Sequence, residues 1–390
     1  MSDGPNLGLL VPCRNEAAVL GRKLANLARQ RWPESSRPHR LIVIDDQSDD
    51  DSADLAVSIL KQSHARHALD PNVLPEVIRN DGRPGKAGAL SAGLARLGDT
   101  VDVVVLTDAD VILDDGALQA LAAAFTERHG ASAPAAPAAP AAPATPSEPA
   151  SPCEPAGPSE PSGQTGPGMA CGSQRFVASL ADDGSPRSRD GGALVPAGGL
   201  YDAWTAAVRA LESRGGRLFS VHGQLLAWRR DLDLRPTPGV AADDLELMRQ
   251  VRAAGRAVIK LNDARFLELK TPPGDDRASQ QLRRARAYFQ VIGRCRLPAG
   301  APLLDRAQFA LYRSVPALAP AAAGLALMLL PGLGLAWRGV PGLGLGMALA
   351  ALLRYAPIGR RLANLLSVIA ASRKGDAAHT LPDRWEMPRR

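Results

Sequence analysis

Residues 101–110 read VDVVVLTDAD, an aliphatic run that ends in two aspartates separated by one residue. Two earlier runs, residues 7–11 and 41–44, are also continuous aliphatic stretches that end in polar or charged residues. Continuous rather than alternating hydrophobicity is typical of strands buried on both faces of a parallel sheet. The run at 101–106 therefore predicts a buried strand, with carboxylates directly after its carboxyl end.

The segments between these strands have the periodicity of helices. Apolar residues recur at helical spacing at about residues 16–31, 51–64 and 86–97, and a short strand is predicted at 77–78. Alternating strands and helices predict an α/β fold, with a mostly parallel sheet covered by helices on both faces. In such sheets ligands bind beyond the carboxyl ends of the strands, where the polar residues of this chain are concentrated.

The overall composition is that of a folded protein. Of the 390 residues, 45% are hydrophobic, which excludes wholesale disorder and a collagen-like repeat. The four cysteines lie far apart and form no CxxC pair. This argues against a disulfide framework and a thiolate metal site, and it favours a reducing compartment.

The charge is divided between the two ends of the chain. Residues 270–390 carry 18 lysines and arginines and 6 carboxylates, a net charge of +12, whereas residues 1–269 carry −6 of the overall +6. A nucleic-acid binder would have its basic surface at its recognition motif, so we expect no nucleic-acid partner. The pattern favours an acidic catalytic part joined to a part that meets an anionic membrane surface.

Residues 131–168 differ from the rest, because proline recurs at every third position from Pro134 to Pro161. This period is typical of an extended polyproline II segment that buries too little surface to fold. The segment is either a tolerated surface insertion, which we favour, or a docking site for a partner.

The C-terminal part contains residues 315–337, which are 23 residues without a charge, and a second apolar stretch that follows Arg338-Gly339 and ends near residue 353. The first stretch is long enough to cross a hydrocarbon core of ~30 Å. We predict a membrane hairpin, with a buried core hairpin as the alternative. Residues 362–371 are too short to span alone and are bordered by basic residues. The basic flanks place both ends of the hairpin in the cytoplasm, at the inner membrane.

Four polar clusters follow the predicted strands: 11–16 (VPCRNE), 45–48 (DDQS), 85–90 (GKAGAL) and 107–110 (TDAD). Taken singly, each has a plainer interpretation, since aspartates at strand ends often form turns and helix caps and a lysine in a glycine turn is often solvated. The pair Asp108 and Asp110 is more specific. Two carboxylates two residues apart on an extended chain suit Mg²⁺ or Mn²⁺ carrying a diphosphate.

Together these clusters resemble the family 2 glycosyltransferases of the GT-A fold. The similarity continues at residues 242–247, ADDLEL, and it covers about residues 7–125 and 170–295. The resemblance implies a Rossmann-like GT-A catalytic domain followed by a C-terminal transmembrane helical hairpin. It also implies inverting transfer of a sugar from a nucleotide-diphosphate sugar, such as a UDP-sugar, to a membrane lipid or glycan acceptor.

The resemblance assigns roles to individual residues. Those expected to hold the donor are Pro12, Arg14, Glu16, Asp45, Asp46, Lys86 and Asp108. Among them, Asp45 fixes a turn, Asp46 accepts a hydrogen bond from the base, and Lys86 faces the diphosphate. Asp108 and Asp110 are the expected ligands of Mg²⁺ or Mn²⁺, and Asp244 is the expected general base, for which the alternative is a helix cap.

The sequence indicates the acceptor-binding residues less specifically than the donor-binding ones. The residues expected to meet the acceptor or a phosphate are His222, Gly223, Gln224, Gln280, Arg283 and Arg286. His222 is equally well explained as structural, and the basic segment as a helix meeting lipid headgroups. Arg284 stands where processive relatives have tryptophan, which argues against long-chain processivity. An apolar stripe at 199–211 fits either the bilayer surface or a core-facing helix.

The predicted organisation has five parts: a nucleotide-sugar half (1–130), the proline-rich insert (131–168), an acceptor half (169–297), the membrane hairpin with an interfacial helix (298–372) and a basic tail (373–390). Two other functions remain open from the residues. A sugar-phosphate nucleotidyltransferase would need a long glycine-rich loop after the first strand. An inactive membrane scaffold would not need the carboxylates Asp46, Asp108, Asp110 and Asp244.

Overall fold

A computed structural model describes most of the chain. The described residues are 4–126, 166–177, 179–180, 200–237, 240, 242–269, 275–294, 297, 300–355, 366–367 and 369–370. They form two compact units, one ending at Thr271 and the other beginning at Pro272. The predicted insert at 131–168, apart from Gly166–Gly168, and the tail at 373–390 lie outside the described residues, as does most of 362–371.

Four parallel strands form the first half of the sheet in the first unit. They are β1 (Leu7–Cys13), β2 (His39–Asp45), β3 (Val73–Arg79) and β4 (Val103–Thr107). Their order is β3-β2-β1-β4, with β1 paired to both β2 and β4. Every residue of β1 and β4 is buried, because both faces of the sheet are covered.

Four helices cover the sheet, and the first three of them make the crossovers between these strands. They are α1 (Ala17–Ala28), α2 (Ser52–Ala65), α3 (Lys86–Leu97) and α4 (Ala117–Thr126). One apolar cluster joins the inner faces of α1, α2 and α4 to the sheet, and it contains Leu20, Leu24 and Leu27 of α1 together with Leu9 and Val105 of the strands. The predicted alternation of strand and helix is confirmed in this half.

The second half of the sheet is mixed in direction. Its strands are β5 (Ile112–Leu113), β6 (Met169–Val177), β7 (Leu225–Arg229) and β8 (Val258–Leu269), which extend the order as β4-β7-β6-β8-β5. Strand β7 is antiparallel to both β4 and β6, whereas β6 and β8 are parallel. Strands β6 and β8 therefore run in the same direction as β1–β4, and β7, which runs in the opposite direction, begins at their carboxyl edge.

Two helices complete this unit: α5 (Leu200–Arg214) and α6 (Asp243–Ala253). Helix α5 has its polar side chains on the inner face, where Ser213 Oγ accepts a hydrogen bond of 2.8 Å from Lys260 N of β8. Two apolar residues of the stripe predicted at 199–211, Trp204 and Leu211, lie outward and are 68% and 72% exposed. These two residues therefore do not face the core.

The second unit contains α7 (Asp275–Arg294) and α8 (Leu303–Tyr355). Helix α8 is interrupted at Arg338 and Gly339, whose backbone is not helical, and Gly339 has a φ of 63°. The two arms of α8 approach so closely that a Cβ at Gly334 would overlap the carbonyl oxygen of Gly342. Within the described residues, Leu303–Ala351 is the segment long and apolar enough to cross a membrane.

Candidate active site

The aspartates after β4 lie at the carboxyl edge of the sheet. Asp108 follows the buried Thr107 directly, and its side chain is 16% exposed. The Asp108 amide donates a 3.3 Å hydrogen bond to the carbonyl oxygen of Gln224, just before β7. Asp110 lies two residues further on and is half-buried. The pair is thus held between the end of a core strand and the turn that leads into β7.

Lys86 reaches this pair from the start of α3. Its Nζ lies 2.8 Å from Asp108 Oδ1 and 3.7 Å from Asp243 Oδ2. Burial alone would lower the pKa of Lys86, but the carboxylates of Asp108 and Asp243 outweigh it and raise that pKa. Lys86 is therefore a fixed positive charge between the two acidic segments.

The turn that carries Lys86 depends on glycine. Gly85 has a φ of 113° and a ψ of 159°, a backbone conformation that residues with a Cβ rarely adopt. Its amide donates a 2.7 Å hydrogen bond to Asp46 Oδ2. A Cβ at Gly88, on the first turn of α3, would overlap the carbonyl oxygen of Arg83.

Asp243 and Asp244 begin α6 on the other side of the cleft. Asp243 is buried, and burial raises its pKa. Burial and the neighbouring Asp243 raise the pKa of Asp244 to about 6. Asp244 Oδ1 accepts a 2.8 Å hydrogen bond from the Leu245 amide, while Gly223 lies against the same carboxylate, where an added Cβ would be 3.2 Å from Oδ2.

Asp46 connects the ends of β2, β3 and α3. Its Oδ1 accepts a 2.7 Å hydrogen bond from Asn80 Nδ2 and its Oδ2 accepts one of 2.7 Å from the Gly85 amide. Arg14 Nη1 lies 3.7 Å from Oδ2. The side chain of Asp46 is fully buried and links these three segments, and its contact with a base stays a prediction from the sequence.

The remaining predicted donor residues lie around the same strand ends. Asp45 Oδ1 accepts a 3.3 Å hydrogen bond from the Ser48 amide and so closes the turn after β2. Pro12 is buried in β1 opposite Ile44, and Glu16, also buried, precedes the first turn of α1. These residues share one edge of the sheet with Asp46.

The turn at residues 222–224 joins the acidic segments. The Gln224 carbonyl holds Asp108, and Gly223 contacts Asp244. Burial and the nearby Arg209 lower the pKa of His222 to about 3, so its imidazole is neutral at physiological pH. The ring packs edge-on against Phe266 with 5.9 Å between centroids, as expected for a structural histidine.

Gln280, Arg283 and Arg286 lie on α7, in the second compact unit. Arg283 and Arg286 are exposed. Their assignment to an acceptor or phosphate therefore stays a prediction from the sequence.

Two polar residues that hold this site were missed from the sequence. Asn80 could have been found, because it directly follows β3 at the same edge as the other polar clusters. No sequence pattern marked Lys23 as part of the site, since a lysine in an amphipathic helix is expected on the solvent side. Its ammonium is instead fully buried beneath the Asp108–Asp110 segment.

The donor set fits a divalent cation that shares its ligands with a substrate. Among the described residues, no group of three or more histidines, cysteines or carboxylates is close enough to hold a metal alone. Asp108 and Asp110 supply two carboxylates. Mg²⁺ commonly binds through one or two carboxylates, with substrate phosphates and water completing the octahedron.

The comparisons with known proteins agree with this architecture. Residues 9–148 match the family model for glycosyl transferase family 2. Among solved structures, a mannosyltransferase from Pyrobaculum calidifontis in complex with GDP-Man and Mn²⁺ matches with a TM-score of 0.60 and 20% sequence identity. That match covers 97% of this chain and 89% of the mannosyltransferase. No curated protein matches the chain.

A second solved structure is that of S. aureus TarS, residues 1–349, in complex with UDP. It has a TM-score of 0.45 and 16% identity, and the match covers 95% of this chain and 92% of TarS. The sheet of the present protein is that of the GT-A fold, which confirms the fold class predicted from the sequence. The match at residues 9–148 supports the resemblance to the family 2 glycosyltransferases that the sequence predicted.

Proposed function

We propose that this protein transfers a sugar from a nucleotide-diphosphate sugar, most simply a UDP-sugar, to a membrane-associated lipid or glycan acceptor. The observation that carries the proposal is the meeting of Lys86, Asp108 and Asp243 within 3.7 Å at the carboxyl edge of the sheet. A cation flanked by carboxylates suits a diphosphate bound together with a metal ion. The mannosyltransferase of similar fold was solved with a nucleotide sugar and Mn²⁺.

Asp244 is the general base of the proposed reaction. A carboxylate with a pKa of about 6 is ionised at neutral pH, and it is basic enough to accept a proton as the acceptor hydroxyl attacks. The proton passes to an Asp244 oxygen, the hydroxyl oxygen bonds to the anomeric carbon, and the bond from that carbon to the diphosphate oxygen breaks. One displacement of this kind inverts the anomeric configuration.

Asp108 and Asp110 are the proposed ligands of Mg²⁺ or Mn²⁺. When bound, the metal neutralises the charge that develops on the departing nucleoside diphosphate. Lys86 adds a second positive charge to the same region, since its Nζ lies 2.8 Å from Asp108. Pro12, Arg14, Glu16, Asp45 and Asp46 form the proposed nucleoside side, with Arg14 and Glu16 bordering the turn between β1 and α1.

The membrane is the proposed location of the acceptor. The chain contains a helix long and apolar enough to cross a bilayer, and α5 exposes Trp204 and Leu211 outward. Tryptophan and leucine on one exposed face, with basic residues nearby, are typical of helices that lie in a membrane interface. Arg283 and Arg286 are proposed to bind the phosphate of the acceptor or the anionic headgroups around it.

The test uses membranes containing the full chain, a panel of UDP- and GDP-sugars, and Mn²⁺ or Mg²⁺. We expect release of nucleoside diphosphate with one donor, stimulated by added lipid extract and abolished by EDTA. Asp244→Asn is expected to retain donor binding and to lose transfer, by about 100-fold or more. The matched control is Asp99→Asn, a carboxylate with a side chain 97% exposed, which is expected to act like the unsubstituted protein.

Two results would contradict the proposal. Loss of both binding and transfer in Asp244→Asn would indicate a structural role for Asp244. The absence of turnover with every donor, in a protein that still binds a nucleotide, would favour the inactive scaffold.

A further inference from the structure

A stripe of buried polar side chains runs along the inner face of α1 and just beyond its end. Lys23, Asn26 and Gln30 are 0%, 4% and 5% exposed. They lie beside the apolar residues Leu24 and Leu27, which pack in the core. Burial of polar groups in such a place is costly unless each finds a hydrogen-bond partner.

All three side chains hydrogen-bond to the same segment, which runs from Thr107 at the end of β4 to Leu113. Lys23 Nζ donates to Thr107 Oγ1 at 2.7 Å and to the Val111 carbonyl at 2.9 Å. Asn26 both donates to the Leu113 carbonyl and accepts from the Leu113 amide, each at 2.9 Å. Gln30 donates to the same Leu113 carbonyl at 3.2 Å.

The two contacts of Lys23 lie on either side of the acidic pair. Thr107 immediately precedes Asp108, and Val111 immediately follows Asp110. One ammonium group therefore joins the two ends of the turn that carries both carboxylates. Asn26 and Gln30 hold the chain only beyond that turn.

We propose that Lys23 is a positioning residue for the metal-binding turn, and that it sets the placement of the Asp108 and Asp110 carboxylates by bridging Thr107 and Val111 from beneath. The proposal rests on the proposed function, because it concerns the same metal and diphosphate. In metal sites, outer-shell partners orient the residues that bind the metal. The proposal assigns this role to Lys23.

The charge and the positioning role of Lys23 are expected to change cation affinity in opposite directions. Burial lowers the pKa of Lys23 to about 7, while Asp108 and Asp110 oppose that shift, so the three groups interact electrostatically. Removing a positive charge near a cation site would by itself strengthen cation binding. If a variant that lacks the ammonium binds the cation more weakly, the cause is therefore the displacement of the Asp108 and Asp110 carboxylates and not the lost charge.

The experiment measures Mn²⁺ binding by the purified full-length protein with UDP present, from the electron paramagnetic resonance of free Mn²⁺, with a parallel series in GDP. Lys23→Met is expected to weaken Mn²⁺ binding by about 10-fold or more, the usual effect of losing an outer-shell partner. Thr107→Val retains the lysine and removes one of its partners, so we expect a smaller weakening of about 3-fold. It also tests the proposal if Lys23→Met does not fold.

Asn26→Leu is the matched control. It removes buried hydrogen bonds from the same helix face, and we expect its melting temperature to fall while Mn²⁺ affinity stays within about 2-fold. Unchanged or tighter Mn²⁺ binding in Lys23→Met, or unchanged binding in Thr107→Val, would overturn the proposal. Equal weakening in Asn26→Leu would do the same, since it would trace the effect to general loosening.

The outcome separates this inference from the proposed function. If the unsubstituted protein binds no Mn²⁺ with either nucleotide, both proposals fail. If it binds Mn²⁺ and the Lys23 and Thr107 variants bind it equally well, the role of Lys23 fails alone.

Discussion

At the scale of single residues, the adjacent carboxylates Asp243 and Asp244 have different surroundings. Asp243 lies 3.7 Å from the Lys86 ammonium, whereas Asp244 lies against Gly223 and accepts a hydrogen bond from the Leu245 amide. Burial raises the pKa of both carboxylates, and the Lys86 ammonium opposes that rise at each of them. Because the Asp243 carboxylate is engaged by Lys86, we expect Asp244 to be the one that takes up a proton.

This difference predicts the acid side of the pH profile. The pKa of Asp244 is raised to about 6, and a general base acts only when it is ionised. The transfer rate at saturating donor should fall as the pH drops through about 6, because Asp244 becomes protonated there. The measurement is kcat from pH 5 to pH 9 with a fixed Mn²⁺ concentration.

A histidine would titrate in the same range, so His222 supplies the control. Its pKa is lowered to about 3, and its ring is already neutral at pH 6. His222→Gln should therefore leave the midpoint of the profile unchanged. A midpoint that disappears in His222→Gln, or one near pH 4 in the unsubstituted protein, would contradict the assignment of Asp244.

The sequence predicted Asp108, Asp110 and Lys86 as site residues, because strand ends and a glycine turn mark the ligand edge of an α/β sheet. Lys23 was missed because helical periodicity places a lysine on the outer face by default. Its burial depends on two partners, Thr107 and Val111, that are more than 80 residues away in the chain.

At the scale of elements, the aliphatic runs predicted the buried strands well and the edge strand poorly. Strands β1 and β2 extend at most two residues beyond the predicted runs, and β4 begins two residues later and ends one residue later than the predicted 101–106. Strand β3, by contrast, covers Val73–Arg79, and only 77–78 were predicted. Strand β3 contains Pro75 and Glu76, which interrupt its hydrophobic pattern. A proline is tolerated there because β3 is at the edge of the sheet.

The direction of the second half of the sheet could not be predicted. Strand β7 inserts between β4 and β6, although β6 precedes it in the chain. That order is set by pairing across long sequence separations, which local patterns do not encode. The placement of Gly223 and Gln224 beside the acidic residues follows from it, since both lie just before β7.

The close approach of the two arms of α8 gives a prediction at this scale. Gly334 and Gly342 face each other so closely that a Cβ on either would overlap the backbone of the other. Gly334→Val or Gly342→Val should force the arms apart and destabilise the hairpin, by about 1–3 kcal/mol as for other overpacked sites. The measurement is the melting temperature of the full-length protein in detergent.

Glycines of the same helix that have open space provide the controls. A Cβ at Gly332 or Gly344 would meet nothing within 4 Å. Gly332→Val and Gly344→Val should therefore lower the melting temperature much less than Gly334→Val and Gly342→Val do. Equal losses at all four positions would indicate that the effect arises from helix propensity and not from packing between the arms.

At the scale of the whole molecule, the chain combines parts of opposite character. Residues 1–269 carry a net charge of −6 and hold the GT-A sheet, and residues 270–390 carry +12 and hold α8. The mean hydropathy of −0.09 conceals this division, because it averages polar segments with a long apolar helix. An acidic cleft would repel a donor diphosphate without compensating cations, which is a physical reason to expect Lys86 and a metal ion there.

The break in α8 leads to a prediction about topology. The arms reverse direction at Arg338 and Gly339, so Leu303 and Val340 lie near opposite ends of the first arm. At ~1.5 Å per residue this arm exceeds the ~30 Å of a hydrocarbon core. If the hairpin spans the bilayer with its ends in the cytoplasm, a residue at the turn is exposed on the outer side.

Cysteine labelling in intact cells tests this arrangement, with the unsubstituted chain and its four native cysteines as the baseline. Leu303 and Val340 are suitable sites because their side chains are 79% and 77% exposed. A membrane-impermeant maleimide should label Val340→Cys from outside, and Leu303→Cys only after the cells are opened. Labelling of both positions from the same side would show that the first arm does not cross the membrane, and the catalytic domain would then have to reach its acceptor from a hairpin that lies in one leaflet.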